Sequence, residues 1–134
     1  MAAPTSDPDR SSALRRVRGV VERLLRDGTA VARSDGTVHN IFPVAVYAAE
    51  GEALREWILR EEATQTIEIG LGYGISALHV CEGLLENADP SARHVALDPY
   101  QTTRFANCGL QFLEEAGITE MVEHHAEESQ IALP

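Results

Sequence analysis

Three glycines in alternation, Gly70, Gly72 and Gly74, follow a short apolar run over residues 66–69 that carries one carboxylate, Glu68. A second apolar run over residues 94–97 ends in Asp98. Each glycine has a separate physical task. Gly70 allows a sharp turn off a strand, Gly72 lets the backbone approach a ligand without a Cβ in the way, and Gly74 lets the next helix pack tightly. The start of that helix then presents unpaired N–H groups. A carboxylate tipping the neighbouring strand is placed to accept hydrogen bonds from hydroxyls. Together these residues suit the adenosine part of a small molecule. The spacing G-x-G-x-G differs from the G-x-G-x-x-G of dinucleotide-binding domains, which seat a pyrophosphate on the helix end. Glu68, two residues before the first glycine, repels a pyrophosphate and can pair with a cationic amino group.

Such residues need strands and helices in alternation to hold them. The pattern predicts strands over 66–69, 94–97 and 121–125. The helix after Gly74 places Ala77, Leu78, Cys81, Leu84 and Leu85 on one face, and a further helix over 103–115 turns Phe105, Cys108, Phe112 and Leu113 inward. Gly117 closes that helix. Strands separated by helices imply a parallel sheet with right-handed crossovers. Upstream, Ser11 or Ser12 caps a helix to about residue 26, with a stripe of Leu14, Val17, Val21 and Leu24. Residues 29–43 read as irregular, with Ser34-Asp35-Gly36 a turn. A second helix over 50–62 is expected to bury Leu54, Trp57 and Ile58. The division is a disordered lead-in over 1–9, a helical region over 10–62 and a ligand-binding half domain over 63–134.

Composition narrows the partners. The net charge is −10, there is no Lys, and the arginines gather before residue 34 while the acids dominate after it. An acidic body disfavours nucleic acid, whose phosphates need dense Lys and Arg. The arginines over 10–26 fit the solvated face of an amphipathic helix. No apolar run reaches the roughly 18 residues that span a bilayer, and the N-terminus lacks the pattern of a secretory signal. Cys81 and Cys108, each among apolar neighbours, suit reduced core thiols, which points to the cytoplasm.

Three segments resemble the class I S-adenosylmethionine-dependent methyltransferases, in their bacterial O-methyltransferase-like branch. They are Ile67-Glu68-Ile69-Gly70-Leu71-Gly72-Tyr73-Gly74-Ile75-Ser76, then His94-Val95-Ala96-Leu97-Asp98-Pro99-Tyr100, and then Val122-Glu123-His124-His125-Ala126-Glu127-Glu128-Ser129. The resemblance spans about residues 38–134. It implies a Rossmann-like, doubly wound α/β fold, of which the chain supplies three strands in the order 3-2-1 beside N-terminal helices. It also implies S-adenosylmethionine as cofactor and a methyl group passed to a small-molecule acceptor, on oxygen in this branch. By position, Glu68 would order the glycine loop and the methionine amino end. Gly70, Gly72 and Tyr73 would wrap methionine and ribose, and Asp98 would accept from both ribose hydroxyls. Glu128 would lie near the adenine amino group with Ser129 beside it. Gly74, Ser76, Pro99 and Tyr100 complete the expected cofactor-binding set.

No catalytic residue is assigned, because the family's acceptor-facing residues are expected beyond Pro134. The family's central strand would then be an open edge here, suited to self-association. Asp98, at a strand tip, is expected to be replaceable without loss of the fold. No metal site is expected: His124 and His125 are neighbours on a strand and point to opposite faces. His39 and His79 read as structural. Two further readings stand beside the methyltransferase: a non-catalytic cofactor-binding or interaction module, and a nicotinamide-dependent oxidoreductase domain.

Overall fold

The structure, a computed structural model, describes residues 7–133. Helix α1 spans Asp7–Asp27. It begins earlier than Ser11: residues 7–9 of the expected disordered lead-in are helical, and residues 1–6 lie outside the described part. Pro8, in the first turn, needs no N–H there and has a φ already suited to a helix. Val17, Val20, Val21 and Leu24 are buried along one side. Gly28, at φ +67°, ends the helix by donating its N–H to Leu24 O at 2.8 Å.

The stretch expected to be irregular holds a small antiparallel hairpin, β1 (Thr29–Val31) against β2 (Val38–Asn40). The turn signal is real and closes it. Asp35 Oδ1 accepts from Thr37 N at 3.0 Å and from Thr37 Oγ1 at 2.6 Å. Strands of three residues are too short to show an alternation in sequence.

Helix α2 covers Ala48–Arg60 and packs on α3, Ile75–Asn87. The expected burial of Leu54 and Trp57 is incorrect. Ile58 is partly buried, but Leu54 is exposed and Trp57 is 55% exposed with Arg60 over its ring. The face of α2 that meets α3 is set by Gly51, where an added Cβ would lie 2.2 Å from His79 Cδ2.

The main sheet is β3 (Gln65–Ile69), β4 (Arg93–Leu97) and β5 (Val122–His125), in the order β3-β4-β5 and parallel throughout. The mixed α/β architecture with this order matches the expected Rossmann-like arrangement. Ile67 pairs with Val95, and Ile69 with Leu97. Buried Ile75, Leu78, Cys81, Leu84, Leu85 and Leu113 make the centre of the core, with Val17 and Ile41 joining from the N-terminal part. Among the described residues, β3 has one sheet neighbour, and Ile67 and Ile69 on it are exposed.

Helix α4 is shorter than expected, Cys108–Glu115 rather than 103–115. Residues 99–107 form turns instead, with Ala106 and Asn107 at positive φ. A short 3-10 turn at Thr119–Met121 precedes β5, and a four-residue helix α5, Ser129–Ala132, follows it.

The arginines of α1 are not simply solvated. Arg16 Nε donates to Glu115 O at 2.8 Å and Arg23 pairs with the Glu115 carboxylate. Arg18 Nε reaches buried Glu82 at 2.7 Å, and Arg55 of α2 grips Glu86 at 3.0 and 3.1 Å. These pairs tie α1 and α2 to α3 and α4. No helix among the described residues is long and apolar enough to cross a membrane.

Candidate functional site

The glycine loop sits at the C-terminal end of β3, as crevice rules for open α/β sheets require. Gly70, Gly72 and Gly74 take φ values of +91°, +56° and +83°, so all three lie in the left-handed region that a side chain disfavours. Gly74 also packs against α4: a Cβ there would lie 3.2 Å from Gly109 O. The loop is therefore a glycine loop for two reasons, conformation and close approach.

Two clefts meet at Gly70. One, of about 370 Å³, is lined by Ile69, Gly70, Leu97, Asp98, Pro99, Tyr100, Glu128, Ser129 and Gln130. The other, of about 260 Å³, runs over Leu71, Gly72, Tyr73, Ile75 and Ser76 and is walled by Val44, Ala45, Val46 and Phe105. Ile69, Gly70, Asp98 and Tyr100 belong to both. Of the residues singled out in the sequence, Gly70, Gly72, Tyr73, Ser76, Asp98, Pro99, Tyr100, Glu128 and Ser129 thus meet in one continuous region.

Glu68 and Gly74 are not in the lining. Glu68 faces back under the loop, where Oε2 accepts from Ser76 Oγ at 2.6 Å and Oε1 lies 2.9 Å from Nε2 of buried His94. Thr66 Oγ1 is 2.8 Å from the other nitrogen, Nδ1. A proton on Nε2 serves the carboxylate and leaves Nδ1 to accept the Thr66 hydroxyl. Glu68 thereby fastens β3 to β4 and to the first turn of α3.

Asp98 is not the open strand-tip carboxylate that its position suggests. It is 2% exposed. Its Oδ2 accepts from Leu71 N at 3.1 Å, Gly72 N at 2.9 Å and Gln101 Nε2 at 3.0 Å, and its Oδ1 accepts from Tyr100 N at 2.8 Å. Burial pushes its pKa up, but these donors outweigh burial and hold it below the usual carboxylate value. The expectation that Asp98 can be removed without touching the fold does not survive this arrangement.

Tyr73 is buried in the loop, edge-on to Phe105 with ring centroids 5.1 Å apart. Its hydroxyl lies 3.2 Å from His39 Nδ1, and His39 Nε2 lies 2.7 Å from Thr37 Oγ1. Burial raises the phenol's pKa. The hairpin therefore reaches the loop through His39, a histidine read from sequence as structural only. His124 and His125 do diverge: His124 Nε2 donates to Asp98 O at 3.0 Å, while His125 lies 3.1 Å from Glu123. Among the described residues no three His, Cys, Asp or Glu side chains are grouped to hold a metal ion. Cys81 and Cys108 are free and buried, and burial drives the Cys81 thiol pKa upward.

Sequence reasoning missed the wall at residues 44–46 and the contribution of Gln101. The apolar residues Ile41, Phe42, Val44 and Val46 around Pro43 were the available signal, too short and too interrupted to show a period.

No family model matches the sequence, and no curated protein does. Solved structures do. Cofactor-bound Rv0187 from MTB superposes with a TM-score of 0.59 at 24% identity, over 96% of this chain and 48% of that one. TomG of Streptomyces achromogenes, an O-methyltransferase involved in tomaymycin synthesis and solved with SAM, gives 0.60 at 24% identity over 91% and 45%. An O-methyltransferase from Bacillus cereus in complex with SAH gives 0.55 at 21% identity over 85% and 42%. The chain spans about half the length of these structures. The chain shares the fold of these structures.

Proposed function

We propose that this chain is the cofactor-binding half of an S-adenosylmethionine-dependent methyltransferase that passes a methyl group to a small-molecule acceptor, on oxygen. The observation that carries the reading is the state of the loop's backbone donors. In a dinucleotide site, loop N–H groups wait for a pyrophosphate. Here Leu71 N and Gly72 N are already bonded to a carboxylate, Asp98, and a second carboxylate, Glu68, lies under the same turn. A phosphate-rich ligand meets negative charge where it needs donors. A sulfonium cation with an ammonium group and an uncharged adenosine meets a compatible field.

The chain's own residues divide the work as follows. Gly70, Gly72 and Tyr73 shape the cleft for the methionine and ribose, between the apolar wall at 44–46 and Ser76. Ile69, Pro99 and Tyr100 flank the second cleft, where Glu128 and Ser129 supply polar groups for adenine. Oδ1 of Asp98, with one backbone donor, is the oxygen with capacity left for a ribose hydroxyl. Positioning of donor against acceptor is the main demand of methyl transfer. The setting we propose is the cytoplasm, with no nucleic-acid partner, and with copies of the chain associating through the β3 edge.

Calorimetry on the chain with S-adenosylmethionine, S-adenosylhomocysteine, NAD and NADP tests the reading. Preference for the first two is expected. Tighter binding of NAD than of S-adenosylhomocysteine would sink it and favour the oxidoreductase reading.

A further inference from the structure

Gln101 is as buried as Asp98, at 2% exposure, and lines neither cleft. A long amide in such a place needs every polar atom matched. One amide N–H goes to Gly72 O at 2.7 Å and the other to Asp98 Oδ2 at 3.0 Å, while Oε1 faces Leu110 N at 3.4 Å. The orientation of the amide is therefore fixed. Turned over, its oxygen would face a carbonyl and a carboxylate, with no proton between them.

The same contacts close a ring around one residue of the loop. Gly72 donates its N–H to Asp98 Oδ2, Asp98 Oδ2 accepts from Gln101, and Gln101 donates to the Gly72 carbonyl. Both polar atoms of Gly72 are thus tethered to the segment after β4. Gly109 stands behind: a Cβ there would come within 2.5 Å of Gly72 O and 2.9 Å of Gln101 Oε1. The loop cannot relax towards α4, and the ring keeps it from swinging away. Gln101 itself is anchored through its carbonyl, which accepts from Asn107 N at 2.7 Å at the turn where Asn107 has φ +60°.

We propose that Gln101 is a positioning residue for the ligand cleft: its carboxamide latches the Gly72 peptide to Asp98 and so sets the shape of the glycine loop. The latch itself is independent of what the cleft binds; only the affinity arm of the test rests on the S-adenosylmethionine reading.

The test uses Gln101→Leu and the near-isosteric Gln101→Glu in the full chain. Amide hydrogen exchange at Leu71 and Gly72 is compared with exchange at Cys81 and Leu84 in the core of α3. In Gln101→Leu the two loop amides should exchange about tenfold faster or more, without a matching rise in α3, as loss of a buried hydrogen bond implies. For Gln101→Glu the introduced carboxylate meets Asp98 directly. At pH 5 one proton is shared between the two carboxylates but the Gly72 carbonyl has lost its donor, so the ring is half closed; at pH 8 two negative charges oppose each other and it opens. Affinity for S-adenosylhomocysteine should then be below parental at pH 5 and weaker by about a further tenfold at pH 8, a loss of one charge-assisted hydrogen bond, beyond any drift in the parental chain. Loop amides that do not change in Gln101→Leu, or that rise only in step with α3, overturn the proposal, as does a Gln101→Glu affinity that follows the parental pH profile. If the parental chain takes up no S-adenosylhomocysteine, the functional reading fails, and the exchange measurement still decides the latch.

Discussion

Replacing Asp98 by Ala should destabilise the whole chain as well as weaken ligand binding. The carboxylate accepts four hydrogen bonds, and two of the donors, Leu71 N and Gly72 N, are buried backbone groups in a loop with left-handed dihedrals. Each buried donor left without an acceptor costs about 1–3 kcal/mol. The pair therefore puts about 2–6 kcal/mol at stake, and water entering the vacated space moves the expected loss to about 2–4 kcal/mol. That is a large part of the roughly 5–15 kcal/mol that holds a domain together. It corresponds to a fall in Tm of about 6–20 °C, at about 3–5 °C per kcal/mol for a domain of this size. Asp98→Asn keeps one oxygen for the loop but loses the charge, and neutral hydrogen bonds are about half as strong. Its loss should fall between the parent and Asp98→Ala. Denaturant unfolding with the slope held in common, together with a thermal scan, supplies the stabilities. Calorimetry at a temperature where all variants are folded supplies the affinities, expected to drop about tenfold to a hundredfold for the alanine variant. A Tm for Asp98→Ala within about 2 °C of the parent would refute the bookkeeping, because it would mean that the loop donors find other partners at no cost.

Gly109→Ala should lower Tm and ligand affinity together, since its methyl group must push Gly72 O away from a 2.5 Å approach; unchanged affinity in the folded variant would show that the loop yields freely. His79 is buried with neither ring nitrogen hydrogen-bonded, and desolvation is the main cause of its lowered pKa, against Glu82 and Glu52, which raise it, and Arg55, which lowers it further. Below about pH 6.5 the unfolded chain binds a proton at this histidine that the folded chain refuses, so stability should fall with falling pH, by at most about 1.4 kcal/mol per pH unit. In His79→Leu that contribution should vanish, and a parallel pH profile for parent and variant in urea unfolding would contradict it. The exposed pair Ile67 and Ile69 on the β3 edge should drive self-association; light scattering should show the double change to Lys shifting the chain towards monomer, and a parent that stays monomeric at all concentrations would rule this out.

How far the residues announced the structure depends on what each element answers to. The loop and its flanking strands were legible because positive-φ glycines and apolar runs are local requirements, written where they act. The same holds for Gly28 and the Asp35 turn. Trp57 is exposed although a tryptophan on a helix suggests burial, because the buried face of α2 is chosen by Gly51 against His79, a contact between residues 28 positions apart. Asp98 was placed at the correct strand end but given too simple an environment. Its partners Leu71, Gly72 and Gln101 come from two connections, and nothing along one strand reveals that they converge. Gln101 closes the Leu-Asp-Pro-Tyr-Gln stretch that supports the resemblance, but its role is not legible there: a glutamine in a turn is ordinary until its three polar contacts are seen. The wall at 44–46 belongs to an irregular segment, where no periodicity exists to be read.

The ion pairs that join α1 and α2 to α3 bear on modularity. A boundary near residue 62 looks natural in sequence, with helices before it and the strand–loop–helix unit after it. Yet Glu82 is buried on the far side of that boundary and is neutralised by Arg18 from the near side, and Glu86 leans on both Arg18 and Arg55. Excising the strand–loop–helix unit would strip α3 of the two helices that cover it and leave Glu82 and Glu86 without their arginines. The cleft and the helices outside its lining thus share one packing unit, and a transplanted loop keeps these ion pairs only where α1 and α2 travel with it.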